Sequence, residues 1–195
     1  TLLSSAQLSA DLVAEELAES GPGVAVERLK EDLARVREHV EAIKQHAQRE
    51  VLSLGEGVPT DAAAVASDVA AVIRRQYAGV ELEVRGSGRL AVIVPGGVTT
   101  LRRMLLNLML NACQGDGQRG AGHVEVLLEP ADEKGLARIR VRDDGPGFSK
   151  VSAKPHGAGV GLELVTGLAK ASGGSVAWQD RPEGGAEVEL CLREG

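Results

Sequence analysis

Three groups of residues in this 195-residue chain have types and spacings that could do chemistry together. The first is Asp143-Asp144-Gly145-Pro146-Gly147-Phe148, which follows an apolar run (Leu136, Ile139, Val141) that reads as a strand. A carboxylate then stands at a strand end, beside backbone bare enough for a flat ligand to approach closely. The second is Gly157-x-Gly159-x-Gly161, opening an apolar helix that carries Leu162, Leu164, Val165 and Leu168. Free amides at a helix start, with no side chains in the way, suit a polyphosphate. This spacing matches neither the dinucleotide fingerprint nor the P-loop. The third group is Asn107 and Asn111, on a strongly apolar helix that reads from Leu101 to Gln114. Four residues apart on a helix is one face. Two carboxamides on such a helix are costly to bury without partners, and a hydrated magnesium ion on nucleotide phosphates would satisfy them. The simpler alternative is that they cap or bridge neighbouring backbone.

Taken in order, Asn107-Leu-x-Leu-Asn111-Ala, Asp143-Asp-Gly-Pro-Gly-Phe148 and Lys154-Pro-x-Gly-x-Gly-x-Gly161-Leu resemble the N, G1 and G2 boxes of the GHKL ATP-binding superfamily. Within it they most resemble sensor histidine kinases, and Gly173-Gly174-Ser175 followed by Gly184-Gly185-Ala186 is similar to the family's closing strands. The resemblance covers the last two thirds of the chain well and the first third more loosely. It implies a Bergerat-type α/β sandwich that binds ATP and Mg2+ through Asn107, Asn111, Asp143, Gly145, Gly147, Lys154, Gly157, Gly159, Gly161 and Leu162. Asn111 would be the principal magnesium ligand, with Asn107 one turn earlier as second ligand or water-holder. Asp143 would accept the exocyclic amine of adenine and so discriminate against guanine, while Asp144 and Pro146 shape the turn. Where ATPases of the superfamily carry a water-activating glutamate, this chain has Asn107, which cannot act as a general base; that favours phosphoryl transfer to a protein group over hydrolysis.

Two departures stand out. The segment Ser149 to His156 makes a shortened ATP lid without an aromatic residue, and Gln114 occupies a place where many of these kinases carry a basic residue, although the nitrogen-sensor subgroup tolerates glutamine. Lys154 would neutralise phosphate, His156 receives no role, and Arg102 and Arg103 are better read as surface residues than as phosphate ligands.

Composition sets outer bounds. A net charge of -6 argues against nucleic acid as a partner, and with only three aromatic residues (Tyr77, Phe148, Trp178) base stacking is an improbable mode of action. The core must be built of Leu, Val, Ile and Ala. Cys113 and Cys191 have no metal or redox spacing and read as packing. No run approaches the ~20 apolar residues of a membrane span, and no signal peptide is visible, so the expectation is a cytoplasmic segment without membrane contact, even if it belongs to a membrane-bound sensor.

The elements that must position these residues follow from periodicity. Leu3, Ala6, Ala10, Val13 and Leu17 form one narrow helical seam; after the turn Glu19 to Gly23, Leu29, Leu33, Val36, Val40, Ile43 and Ala47 form a heptad seam. A hairpin with one seam cannot bury its apolar face alone, and a second copy gives a dimeric four-helix bundle. Gly55 to Pro59 is the expected boundary, with Thr60 or Asp61 capping the next helix. Strands are predicted at Val80 to Val84, Leu90 to Val94, His123 to Leu128, Leu136 to Arg142, Ser175 to Gln179 and Ala186 to Leu192, paired by hairpins and interleaved with three helices.

The expectation is therefore an α+β protein with a helical hairpin (residues 1–57) for dimerisation and phosphotransfer and an ATP-binding catalytic domain (58–195). Its function would be that of a sensor histidine kinase, passing the γ-phosphoryl group to a histidine and on to the receiver domain of a response regulator. A degenerate scaffold without kinase activity, or a serine kinase of the same superfamily, are the alternatives. Thr1-Leu2-Leu3-Ser4 resembles the end of the family's acceptor motif, which puts the phosphoacceptor histidine four residues before Thr1; His39 and His46, on the second helix, lack the pattern.

Overall fold

A computed structural model describes residues 55–86, 88–115, 120–148 and 158–195. All belong to the second of the two units into which the chain divides, residues 48–195. The predicted hairpin, its boundary at residue 57, and His39 and His46 lie outside or at the edge of the described residues, as does the shortened lid.

Strand β1 (Gly57–Asp61) runs directly into helix α1 (Ala62–Gln76), because Asp61 is both the last strand residue and the helix N-cap. Its Oδ1 accepts the amides of Ala63 at 3.0 Å and Ala64 at 3.2 Å. Within α1, Val65, Ala66, Val69, Ala70 and Ile73 recur at three- and four-residue steps and are all buried. At its end the Arg74 guanidinium donates twice to the Leu82 carbonyl, at 3.0 and 2.8 Å, tying the helix to strand β2 (Glu81–Gly86).

Strand β3 (Ala91–Pro95) pairs antiparallel with β1 rather than with β2. It leads through Gly96 and Gly97, at φ 74° and 55°, into helix α2 (Gly97–Gln114). Strands β4 (His123–Glu129) and β5 (Leu136–Asp143), helix α3 (Ala158–Ala171), and strands β6 (Ser175–Asp180) and β7 (Ala186–Arg193) complete the domain. Helix α3 stops at Gly173, φ 69°, where the Gly174 amide reaches back to the Ala169 carbonyl at 2.8 Å.

The main sheet has the order β2-β4-β5-β7-β6, with β2 parallel to β4 and the remaining pairs antiparallel. One expectation is corrected here. The predicted strands at Val80 to Val84 and Leu90 to Val94 do not form a hairpin, since β3 pairs with β1 and β2 pairs with β4. The small β1–β3 sheet joins the end of the chain through a Val92–Glu194 bridge and a bond from the Gly195 amide to the Ala91 carbonyl at 3.0 Å.

One face of the main sheet is apolar and covered by the helices. Val124, Val126, Ala137, Ile139, Leu190 and Leu192 from the sheet meet Leu101, Met104, Leu105, Leu108, Val165 and Leu168. The opposite face is charged: Arg140 pairs with Glu129 at 2.7 Å and Glu189 at 2.8 Å, and Arg142 pairs with Glu187. This alternation is the expected signature of a sheet with one solvated side. No helix among the described residues is long and apolar enough to cross a membrane.

Because Asp61 satisfies two otherwise orphaned amides, Asp61→Ala is expected to lower the unfolding free energy by about 1 kcal/mol in a denaturant titration. Asp61→Ser, which keeps a capping oxygen, is expected to recover most of that loss.

Candidate functional site

Strand β5 is the central strand of the sheet, and Asp143 is its last residue. Period-two alternation from Ala137, Ile139 and Val141 turns Asp143 toward the helix-covered face, where it is only 8% exposed. The amides of Gly145 at 2.9 Å and Ala186 at 3.2 Å both reach Oδ1. Among the described residues Oδ2 receives no such bond. Burial pushes the carboxyl above its ordinary range, against the lowering effect of those two amides and of Arg181. A charge held against burial is well matched to a ligand donor.

The neighbouring Asp144 has the structural role expected of it. Its Oδ1 accepts the amides of Gly122 at 2.8 Å and His123 at 2.9 Å, fastening the turn to the start of β4. Partial burial acts to raise its carboxyl, but these amides outweigh burial and hold it below the usual range.

Gly147 has φ 76°, and a Cβ there would stand 2.8 Å from Asp180 Oδ1 and 3.0 Å from the Gly185 carbonyl. Gly145 is similarly confined, since a Cβ would lie 3.0 Å from Asp143 Oδ1. The glycines of this cluster are therefore required by the protein's own packing as well as by any ligand.

The asparagine pair lies at the start of α3. A Cβ on Gly161 would be 3.1 Å from Asn107 Oδ1, 3.4 Å from Asn111 Nδ2 and 3.6 Å from Asn111 Oδ1. Both carboxamides thus face the first turns of that helix, and Asn107 donates from Nδ2 to the Arg103 carbonyl at 2.7 Å, which leaves Oδ1 as its outward acceptor. Gly159 lies in the same first turn, and Leu162 is partly buried against the core. Lys154 and Gly157 fall outside the described residues.

Other residues singled out from sequence resolve as follows. Arg102 pairs on the surface with Asp68 at 3.0 Å, as expected. Gln114 donates from Nε2 to the Tyr77 hydroxyl at 3.1 Å, so it braces the ends of α1 and α2. Cys113 is buried, and that burial, with the charge of Asp143 adding to it, pushes its thiol up to about 11. Cys191 is a half-buried free thiol on the charged face. Sequence reasoning missed Asp180 and Arg181, which contact the Asp143–Phe148 segment; their only sequence signal is a position just before the Gly184-Gly185 pair.

A buried carboxylate at a strand end, glycines on both sides of it, and paired asparagines facing a glycine helix start fit a nucleotide with a metal on its phosphates. The donor set is the right one for magnesium, a hard cation that takes oxygen ligands and keeps several waters.

The chain belongs to the family of histidine kinase-, DNA gyrase B- and HSP90-like ATPases, whose family model matches residues 96–195. Among its relatives are the sensor protein kinase CarS of Pseudomonas aeruginosa, 29% identical over 84% of this chain and 41% of CarS, and the C4-dicarboxylate transport sensor protein DctB of the same species, 30% identical over 84% of this chain and 28% of DctB. The chain spans less than half the length of these curated relatives. The mycobacterial sensor histidine kinase MprB superposes with a TM-score of 0.59 at 26% identity, covering 71% of this chain and 97% of that structure.

Asp143→Asn separates binding from stability. The asparagine Oδ1 can keep both backbone donors while the buried charge disappears, so the ligand-free domain is expected to melt at the same temperature or higher at neutral pH. Since Asp143 titrates above its ordinary value of 3.8 in the fold, its favourable contribution is complete below that value and is lost as pH rises through the raised pKa. The stabilising effect of Asp143→Asn should therefore vanish in acid. Adenine nucleotide affinity is expected to fall by about 1.5 to 3 kcal/mol, the range for a hydrogen bond to a charged group, as read by calorimetric titration.

Proposed function

We propose that this chain is the ATP-binding core of a sensor histidine kinase, acting in a two-component system. The observation that carries the reading is the facing of Asn107 and Asn111 onto the first turns of α3, together with the buried carboxylate of Asp143 at the end of β5. Asp143 Oδ2 takes the exocyclic amine of adenine and selects against a 6-oxo purine. Gly145 and Gly147 keep the backbone low enough for the base to lie flat.

The early amides of α3 would bind phosphate oxygens, and Asn111, helped by Asn107, would hold magnesium through carboxamide oxygen. When bound, magnesium supplies neutralisation of charge on the phosphates. Asn107 would help hold the metal but, as a carboxamide, cannot act as a general base, so the residues at hand would position the γ-phosphoryl group for an acceptor side chain instead of activating water. In this reading the acceptor is a histidine and the later acceptor an aspartate on a receiver domain. Residues 1–57 form the hairpin that dimerises as a four-helix bundle, and the domain works in the cytoplasm. The names of the relatives CarS, DctB and MprB support the signalling role.

Titration of the 195-residue chain with ATP, with and without Mg2+, tests the site. Binding is expected to strengthen on adding the metal. Asn111→Ala keeps a strong helix former in α2 and is expected to erase most of that gain, roughly tenfold in affinity or about 1.4 kcal/mol. A variant with the full magnesium gain would remove Asn111 as the metal ligand.

A further inference from the structure

The turn between β6 and β7 does more than join two strands. Arg181 and Gly185 close it, with the Arg181 amide on the Gly185 carbonyl at 3.0 Å and the Gly184 amide on the Arg181 carbonyl at 3.0 Å. From that fixed backbone the Arg181 guanidinium donates from Nη1 to the Asp143 carbonyl at 2.9 Å, while Nη2 lies 3.8 Å from Glu183 Oε2. Asp180 reaches the other end of the same segment, accepting the Phe148 amide on Oδ1 at 2.6 Å.

Between these two contacts the backbones touch. A Cβ on Gly185, φ 85°, would stand 1.9 Å from the Asp143 carbonyl oxygen, and the next amide, Ala186, is one of the two donors to Asp143 Oδ1. The segment Asp143–Phe148 is thus gripped at its first residue by Arg181 and at its last by Asp180, both from one turn.

We propose that Asp180 and Arg181 are positioning residues for nucleotide selection: they fix the backbone on either side of the glycine cluster and thereby aim the Asp143 carboxylate at the 6-position of the purine. The inference rests on the nucleotide reading of the site. Arg181 holds the peptide unit of Asp143 itself, so its loss frees the carboxylate to rotate with its backbone. Asp180 holds the exit of the segment, where the chain leaves toward α3. Neither side chain has to touch the nucleotide.

A structural role alone would weaken all nucleotides alike, whereas aiming an acceptor affects only a ligand that donates to it. The test therefore compares ATP with inosine triphosphate, which carries a carbonyl in place of the amine, by calorimetric titration of the 195-residue chain. Wild type is expected to prefer ATP by tenfold or more. Arg181→Met and Asp180→Ala are each expected to lower that preference at least threefold through loss of ATP affinity, with inosine triphosphate affinity within twofold of wild type. Arg181→Lys and Asp180→Asn, which keep a donor and an acceptor in place, are expected to recover most of it.

An unchanged preference in Arg181→Met and Asp180→Ala, or equal losses for both nucleotides, overturns the positioning role. So does failure of the conservative pair to restore preference. A wild-type chain that binds neither nucleotide overturns the reading of the site itself, and this inference with it.

Discussion

A buried carboxylate at the end of the central strand sets the terms for the whole domain. Desolvation disfavours the charge on Asp143, and the fold offsets this with two backbone amides on one oxygen and a guanidinium on the same residue's carbonyl. Bringing those amides close enough requires the β6–β7 turn to pass directly over the strand end. That approach in turn demands glycine at Gly185, where a Cβ would fall 1.9 Å from the Asp143 carbonyl oxygen. The glycines near the site are thus consequences of how the acceptor is held.

Helix α2 connects this acceptor to the second half of the site. Its apolar residues Leu101, Met104, Leu105 and Leu108 are buried, fixing its rotation, and that rotation presents Asn107 and Asn111 to α3. The same helix face brings both carboxamides up to α3 at Gly161, where a Cβ would stand 3.1 Å from Asn107 Oδ1 and 3.4 Å from Asn111 Nδ2. The charged outer face has Arg140 and Arg142 bridging carboxylates on both neighbouring strands, and no helix among the described residues covers it.

The residues of the candidate site could be picked out in sequence because the patterns that mark them are local. A four-residue asparagine spacing, an aspartate followed by alternating glycines, and a glycine-rich helix start each express a requirement within one element. The strands of β4, β5 and β7 were equally legible from their two-residue period. What sequence reasoning missed was long-range. The pairing of β1 with β3 was hidden because Gly57 and Pro59 look like breakers, and an edge strand of a two-stranded sheet tolerates both. The parallel pairing of β2 with β4 was hidden because it depends on where α2 crosses, which no local pattern encodes. Helix α2 begins four residues before the expected Leu101, since Val98, Thr99 and Thr100 are weak helix formers that packing overrides. Asp180 and Arg181 act on a segment more than thirty residues away, and nothing in their immediate sequence announces it.

If Asp143 is the adenine acceptor, its buried charge is stabilised when the exocyclic amine donates to it. The most direct measurement is the pH titration of its carboxyl carbon by NMR, in the free chain and with saturating ATP and Mg2+. A pKa above the ordinary aspartate range in the free chain is predicted, moving down when ATP binds because the amine favours the ionised form. A titration that lies in the ordinary range, or one that does not move with ATP, would remove Asp143 as the adenine acceptor.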